Sequence, residues 1–401
     1  MGELGLDGSV RPVPGALPLV DAIDTPAVLV ATPDAAVAAV VAGGRVRPVR
    51  SLAQVAAAVR GDEPWPEPPP AGPAPPVPPA AELADVRGQP VARWALEVAA
   101  AGGHHLLLVG PPGAGKTMLA RRLVGLLPDL DPEAALEVTR VHSAGGLPLP
   151  PGGLMRRPPF RAPHHSASMA SLVGGGTGRA RPGEVSMTTR GVLFLDELAE
   201  FAPSVLDALR QPLEEGRVRV GRSRGTVEHP ARFLLVAAMN PCPCGEGGSL
   251  ACRCIPQSQA RYSRRVSGPL LDRLDLAVRV DRPSPAELLG SVRGESTATV
   301  AARVAGARER AIARGVGGNA DLDGPALDEV APLSADAQDL LEVALVDGRL
   351  SARGARRVRS VARTIRDLDD GGRVLRARDV GAALALRARP EVLIGDRSGH
   401  V

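Results

Sequence analysis

Aromatic residues are almost missing from this chain: two Trp, one Tyr and four Phe in 401 residues. Its core must therefore be built from Ala, Val and Leu, whose small side chains fill space only if the elements approach closely. Lysine is rarer still. Lys116 is the single lysine among 48 basic residues, so one position keeps an ammonium where arginine is used everywhere else. The four cysteines all fall between Cys242 and Cys254, which excludes a disulfide framework spread along the chain. No run of about 18 apolar residues is present to form a membrane-spanning helix, and no signal peptide opens the chain. We expect a cytoplasmic protein with no membrane partner. The formal net charge of +4 is small, so a nucleic-acid role has to rest on local arginine clusters.

Against this background one stretch stands out. Leu106-Leu107-Leu108-Val109 reads as a buried strand, Gly110-Pro111-Pro112-Gly113-Ala114-Gly115 as a turn, and Lys116-Thr117 as the opening of a helix that continues through Leu123. This is the strand–GxxxxGK[ST]–helix context of a phosphate-binding loop. Its amides and the helix N-terminus offer a nest for phosphate oxygens. Lys116 is expected to reach the β- and γ-phosphates, where a compact ammonium fits better than a guanidinium, and Thr117 to ligate Mg²⁺.

A second apolar strand, Val192 to Leu195, ends in Asp196-Glu197. Beside a phosphate loop, Asp196 is expected to hold Mg²⁺ and Glu197 to orient or deprotonate the attacking water. A third strand, Phe233 to Met239, ends at Asn240, whose side chain would face the nucleotide crevice. Ser267 to Asp275 precedes a fourth strand, Leu276 to Val280, and contains Arg273, a candidate transition-state donor or else a surface partner of Asp272 or Asp275.

The organisation follows from these landmarks. Residues 1–60 contain a hairpin with a turn at Asp7-Gly8, a strand at Ala27–Ala31, and helices at Ala35–Val41 and Ser51–Val59. Residues 61–81 are a proline-rich spacer. An α/β nucleotide-binding region occupies 82–283, and helical spacing runs through 284–392, leaving 393–401 as a tail. In the helical part, Arg353, Arg356 and Arg357 crowd the start of one helix.

Taken together, Gly110–Thr117, Arg161-Ala162-Pro163-His164-His165-Ser166, Leu172-Val173-Gly174-Gly175-Gly176, Pro182-Gly183-Glu184-Val185-Ser186, Gly191–Leu198, Asn240-Pro241-Cys242-Pro243-Cys244-Gly245 and Ser267–Asp275 resemble the YifB/ComM family of magnesium-chelatase-like AAA+ ATPases. The resemblance implies a P-loop NTPase core, a parallel sheet flanked by helices with a C-terminal helical lid, assembled as a hexameric ring. It places Lys116 and Thr117 on Walker A, Asp196 and Glu197 on Walker B, Asn240 on sensor 1, Arg273 on an arginine finger acting in trans, and Arg353 on sensor 2. Residues 1–60 resemble only the last part of the family's Lon-protease-like N-terminal domain.

Two insertions are also implied. One spans roughly Ser143 to Arg181 and holds His164-His165, for which we expect internal hydrogen bonding or a DNA-facing role. The other is a hairpin before the Asn240 strand, with Arg222 and Arg224 at its tip. That tip reads as an exposed turn or as a finger for a phosphate backbone, and the resemblance favours DNA. Cys242, Cys244, Cys252 and Cys254 read as Zn²⁺ ligands or as reduced thiols; their CxC spacing is less characteristic of zinc than CxxC. His104-His105 reads as a lead into the first strand. The expected activity is Mg²⁺-dependent ATP hydrolysis driving movement on DNA. A magnesium-chelatase motor subunit and a protein-remodelling ATPase are the alternatives.

Overall fold

The computed structural model describes residues 1–23, 29–33, 35, 46–67, 81–150, 153–175, 181–222, 225–247, 251–291 and 293–387. Most of the proline-rich spacer, the helix expected over Ala35–Val41 beyond Ala35, Arg224 at the hairpin tip and the 393–401 tail lie outside the described residues.

In chain order, the small N-terminal strands are β1 (Glu3–Leu4), β2 (Val10–Arg11), β3 (Leu29–Ala31) and β4 (Val46–Pro48). β1 and β2 form the expected antiparallel hairpin, while β3 and β4 pair in parallel. The helix expected over Ser51–Val59 is Leu52–Arg60, with the Ser51 side chain capping it by accepting from Gln54 N. A helix not read from the sequence, Ala16–Asp21, packs Leu17 and Val20 into a small apolar cluster with partly buried Leu136. The Ser143 hydroxyl accepts from Leu17 N, so this segment sits on the helix Pro132–Gly145 of the nucleotide-binding region.

The central sheet is built from β5 (Leu106–Val109), β6 (Phe160–Arg161), β9 (Val192–Leu195), β12 (Leu234–Met239) and β13 (Leu276–Arg279), in the order β13-β5-β12-β9-β6. All neighbouring pairs are parallel. Strands covered on both faces have no polar side to show, which is why β5, β9 and β12 are apolar without interruption. The pleat still separates two cores. Leu106, Leu108, Phe194, Val236 and Ala238 face one side; Leu107, Val109, Leu193, Leu195, Leu235 and Ala237 face the other.

β6 corrects the reading of Ser143–Arg181 as wholly inserted. Phe160 pairs with Val192 and Arg161 with Leu193, so this segment supplies the edge strand of the sheet. A two-residue strand lying between Pro159 and Pro163 is too short to show a period. The remaining strands are local. β7 (Gly174–Gly175) pairs with β8 (Arg181–Pro182), and β10 (Arg217–Arg222) pairs with β11 (Gly225–Pro230) as the expected hairpin.

The region of helical spacing, 284–392, holds the helices Thr297–Ala313, Gly324–Val330, Ala335–Val346 and Ala352–Asp369. They do not enclose a separate core. Val300, Val304, Val358, Val361 and Val380 join the helix Pro90–Gly102 and one face of the sheet in a single cluster. Small alanines on that helix, Ala95 and Ala99 among them, allow the close packing that a core poor in aromatics requires.

Candidate nucleotide site

The carboxyl ends of β5, β12 and β9 lie side by side, and each carries one of the residues singled out in the sequence. This is the edge at which parallel α/β sheets bind ligands.

After β5 the chain turns through Gly110–Gly115. Gly113 and Gly115 have φ of 77° and 92°, in the left-handed region that favours glycine. Gly110 has a different reason: a Cβ there would lie 1.9 Å from the Val280 carbonyl oxygen following β13. Lys116 opens the helix Lys116–Leu123 and is buried. Its Nζ donates to Gly110 O at 2.7 Å, Pro111 O at 2.9 Å and Asn240 Oδ1 at 3.2 Å. Burial lowers its pKa, while the charges of Asp196 and Glu197 act in the opposite direction.

Thr117 Oγ1 donates to Asp196 Oδ2 at 2.6 Å, joining the two expected Mg²⁺ ligands across elements 79 positions apart. A hydroxyl and a carboxylate are hard oxygen donors, the chemistry Mg²⁺ prefers. The next residue, Glu197, is one of three non-glycine residues with positive φ among those described, at 52°. This strained backbone turns its carboxylate away from β9, a kind of conformation that clusters at functional sites. Glu197 Oε2 lies 3.1 Å from His165 Nδ1, and the His165 ring meets Phe201 edge-on at 6.5 Å.

Several motif residues prove to be mutual partners. Arg161 forms a bidentate pair with Glu184, both contacts at 2.7 Å, and this pairing raises its pKa. The pair ties β6 to the Glu184–Met187 turn and fixes the base of the loop carrying His164 and His165. His164 Nδ1 contacts Ser166 Oγ at 2.8 Å, and its ring packs on His165 at 4.0 Å. His164 thus has the expected internal hydrogen bond, whereas the pairing of His165 with Glu197 has no counterpart in the sequence reading. Gln89 belongs to none of the motifs. It has φ of 59° and donates from Nε2 to Ala114 O at 3.3 Å and to Asp281 O. The only sequence signal for it is its place before Pro90, at a helix start.

Arg273 departs from both of its expected local partners. It is ion-paired with Glu214, and its Nη1 donates to Pro269 O at 2.5 Å. Asp275 is not available to it, because Arg357 Nη1 at 2.7 Å and His105 N at 3.0 Å occupy that carboxylate. Burial of Arg273 lowers its pKa, and the charges of Arg210, Arg357 and Arg353 add to the effect. Arg353 is exposed. Arg356 donates to Leu322 O and Arg357 to Arg273 O and Asp275, so both serve the packing of the helical region.

His104 is more than a lead into β5. It is fully buried, its Nε2 lies 2.7 Å from Thr364 Oγ1, and it faces Asp275. Burial pushes the Asp275 carboxyl up, but its neighbour His104 and the Arg357 guanidinium outweigh that and hold it well below the usual carboxylate range.

On the β10–β11 hairpin, Val218 and Val220 are buried, and Arg217 and Arg219 share Glu228 at 2.7 and 3.1 Å. Glu215 also lies 3.9 Å from Arg219, so two carboxylates match the two arginines of the shaft. Arg222 pairs in register with Gly225 at the end of the ladder. Cys242, Cys244, Cys252 and Cys254 converge, their sulfur atoms all within 4.8 Å of one another. No helix among the described residues is long and apolar enough to cross a membrane.

Known proteins resemble this chain over nearly its whole length. The family described as "Magnesium chelatase, subunit ChlI" matches residues 82–288, and "Magnesium chelatase, subunit ChlI C-terminal" matches 294–387. An uncharacterized protein of Mycobacterium tuberculosis is 49% identical over 399 residues, covering 96% of this chain and 78% of its own length. The uncharacterized protein YifB of Escherichia coli is 42% identical over 397 residues, with coverages of 98% and 78%. The competence protein ComM of Haemophilus influenzae is 40% identical over 400 residues, again 98% and 78%.

Proposed function

Because the chain belongs to the magnesium-chelatase-like AAA+ family together with YifB and ComM, we propose that it hydrolyses ATP to ADP and phosphate and couples the reaction to movement on DNA within a homo-oligomeric, hexameric ring. The observation that carries the hydrolytic part is the Thr117–Asp196 contact with Lys116 and Asn240 joined beside it.

In this reading the Gly110–Thr117 loop holds the phosphates, and Lys116 exchanges its carbonyl partners for phosphate oxygens. Thr117 and Asp196 hold Mg²⁺, which when bound draws charge from the phosphates. Glu197, aimed by His165, orients or deprotonates the water, and Asn240 fixes the far side of the same oxygen cluster. Arg273 belongs to the site of a neighbouring subunit. Lys116, Arg353 as the sensor 2 residue and the neighbour's Arg273 together neutralise the developing charge.

DNA is the polymer favoured by Arg222 and Arg224 at the end of a hairpin whose lower arginines are already neutralised. Similarity to a competence protein supports the same choice. The test is ATP turnover with and without single-stranded and branched DNA, for the native chain and for R222A/R224A. We expect DNA to stimulate turnover and the double variant to lose that stimulation. The slope of log affinity against log salt should also flatten in the variant, by about 0.7–0.9 for each phosphate it no longer neutralises. Turnover indifferent to DNA, with no salt-dependent DNA binding, overturns the DNA assignment. It would leave the reading favoured by the family match, a chelatase-type motor subunit that needs a protein partner.

A further inference from the structure

The four cysteines lie outside the chemistry just described, and their placement is more ordered than a set of loop thiols requires. Cys242 Sγ is 3.3 Å from Cys244 Sγ and 3.8 Å from Cys252 Sγ, and Cys244 and Cys252 are 3.8 Å apart. All four are free thiols rather than disulfides. A tetrahedral Zn²⁺ with Zn–S bonds of about 2.3 Å sets its sulfurs about 3.8 Å apart, the separation of Cys252 from both Cys242 and Cys244, whereas a disulfide needs about 2.05 Å.

The surroundings suit thiolates. Gln259 Nε2 donates to Cys252 Sγ at 3.4 Å. Such N–H···S donors orient and stabilise metal-bound sulfur. Gly245 has φ of 83°, and Gly247 lies so close that a Cβ would meet Cys242 Sγ at 3.3 Å. Gly245 and Gly247 thus keep the backbone close to the sulfurs.

The same loop rests on the phosphate loop. A Cβ on Gly245 would lie 2.4 Å from Pro112 Cδ. Arg282 closes the contact, with Nη2 2.6 Å from Glu246 Oε1 and Nε donating to Pro112 O at 3.2 Å. At its other end, Cys242 follows by two positions Asn240, the acceptor for Lys116.

We propose that Cys242, Cys244, Cys252 and Cys254 bind one structural Zn²⁺, and that this centre braces the phosphate loop through Gly245–Pro112 and Asn240–Lys116. On binding, four Zn–S bonds form and the thiol protons pass to solvent; nothing is oxidised or reduced. The metal assignment stands on the sulfur geometry alone. The bracing role rests on the reading of Gly110–Thr117 as the nucleotide site.

The experiment begins with the zinc content of the full chain, purified without chelator, and its release by p-hydroxymercuribenzoate. We expect about one Zn²⁺ per chain, and after exchange with Co²⁺ the visible absorption of a tetrahedral sulfur site with its sulfur-to-metal charge-transfer band. C244S/C252S should lose the metal and bind a fluorescent ATP analogue about tenfold more weakly or worse, with far-ultraviolet circular dichroism retained. K116A should keep the metal in full while losing the nucleotide, which separates failure of the metal site from failure of the nucleotide site. If the cysteine variant does not fold, the native chain stripped with chelator and reloaded with Zn²⁺ decides the same question. A metal-free native chain whose four thiols react freely overturns the zinc site. A metal-free chain with unchanged nucleotide affinity overturns the bracing.

Discussion

His165 Nδ1 stands 3.1 Å from the carboxylate of Glu197. The two come from opposite ends of the 161–197 region, and the contact exists because Arg161 and Glu184 lock the base of the histidine loop while the left-handed backbone at Glu197 turns its side chain outward. In the proposed mechanism the histidine aims the carboxylate at water without touching the nucleotide. E197Q should lower ATP turnover by ~10²–10⁴-fold with nucleotide affinity retained. H165A should lower kcat about tenfold and leave KM within about twofold, and H165N, which keeps a polar group near Nδ1, should recover part of that activity. An unchanged kcat, or an effect confined to KM, would remove His165 from the mechanism.

The Thr117–Asp196 contact makes a separate claim, about the cation. T117V and D196N should each raise the Mg²⁺ concentration needed for half-maximal turnover, by roughly 10–100-fold, more than they weaken metal-free nucleotide binding. Equal effects with and without Mg²⁺ would mean that the pair is only structural. K116A, by comparison, should lose nucleotide binding itself.

The sharing of the site between subunits can be read by mixing. R273A should lower turnover by ~10³-fold or more, as does removal of a comparable arginine donor in other phosphoryl-transfer sites. Chains carrying K116A are inactive for a different reason. In mixed rings some interfaces pair an intact Lys116 with an intact Arg273, so activity should reappear on mixing the two inactive chains. Mixed rings that form, as seen by native mass spectrometry, yet stay inactive would place Arg273 in its own chain's chemistry or in none.

Below the sheet, His105 sets a pH dependence of stability. Burial lowers its pKa, with Asp275 opposing and Arg357 and His104 adding to the effect. Its Nδ1 accepts from Leu235 N at 3.1 Å, a bond that requires the neutral ring. With the folded pKa below the unfolded value of about 6.5, the unfolded chain binds the proton first. Stability should be at its plateau above about pH 6.5 and fall as pH drops below it. H105N retains an acceptor and cannot titrate, so its denaturant midpoint should be lower overall but flatter between about pH 6.5 and 5. An equally steep decline in the variant would assign the titration elsewhere.

Much of this site is legible in the chain because the essential pieces are contiguous. Gly110–Thr117 holds a turn and a helix start directly after the apolar strand, and Asp196-Glu197 follows its own apolar strand in the same way. The helix Ala335–Val346 lies in the region marked by helical spacing, with Ser334 capping its start. Legibility fails where a feature is short or where its partner is remote. β6 is a two-residue strand, so no period could betray it. Sequence proximity points Arg273 to Asp272 or Asp275, but Asp275 is drawn into the buried cluster with Arg357, His104 and His105, leaving Glu214 to take its place.

Local spacing and residue type carried the fold class, the phosphate loop, the acidic strand end and the grouping of the cysteines along the chain, since each depends on neighbours in sequence and on the period of a strand or helix. Tertiary structure alone decided which side chains meet. It brought His165 to Glu197, Thr117 to Asp196 and Arg357 to Asp275, and it laid the cysteine loop on Pro112. Those meetings depend on which strand ends become adjacent when a parallel sheet is laid down in the order β13-β5-β12-β9-β6, and sequence order does not encode that adjacency.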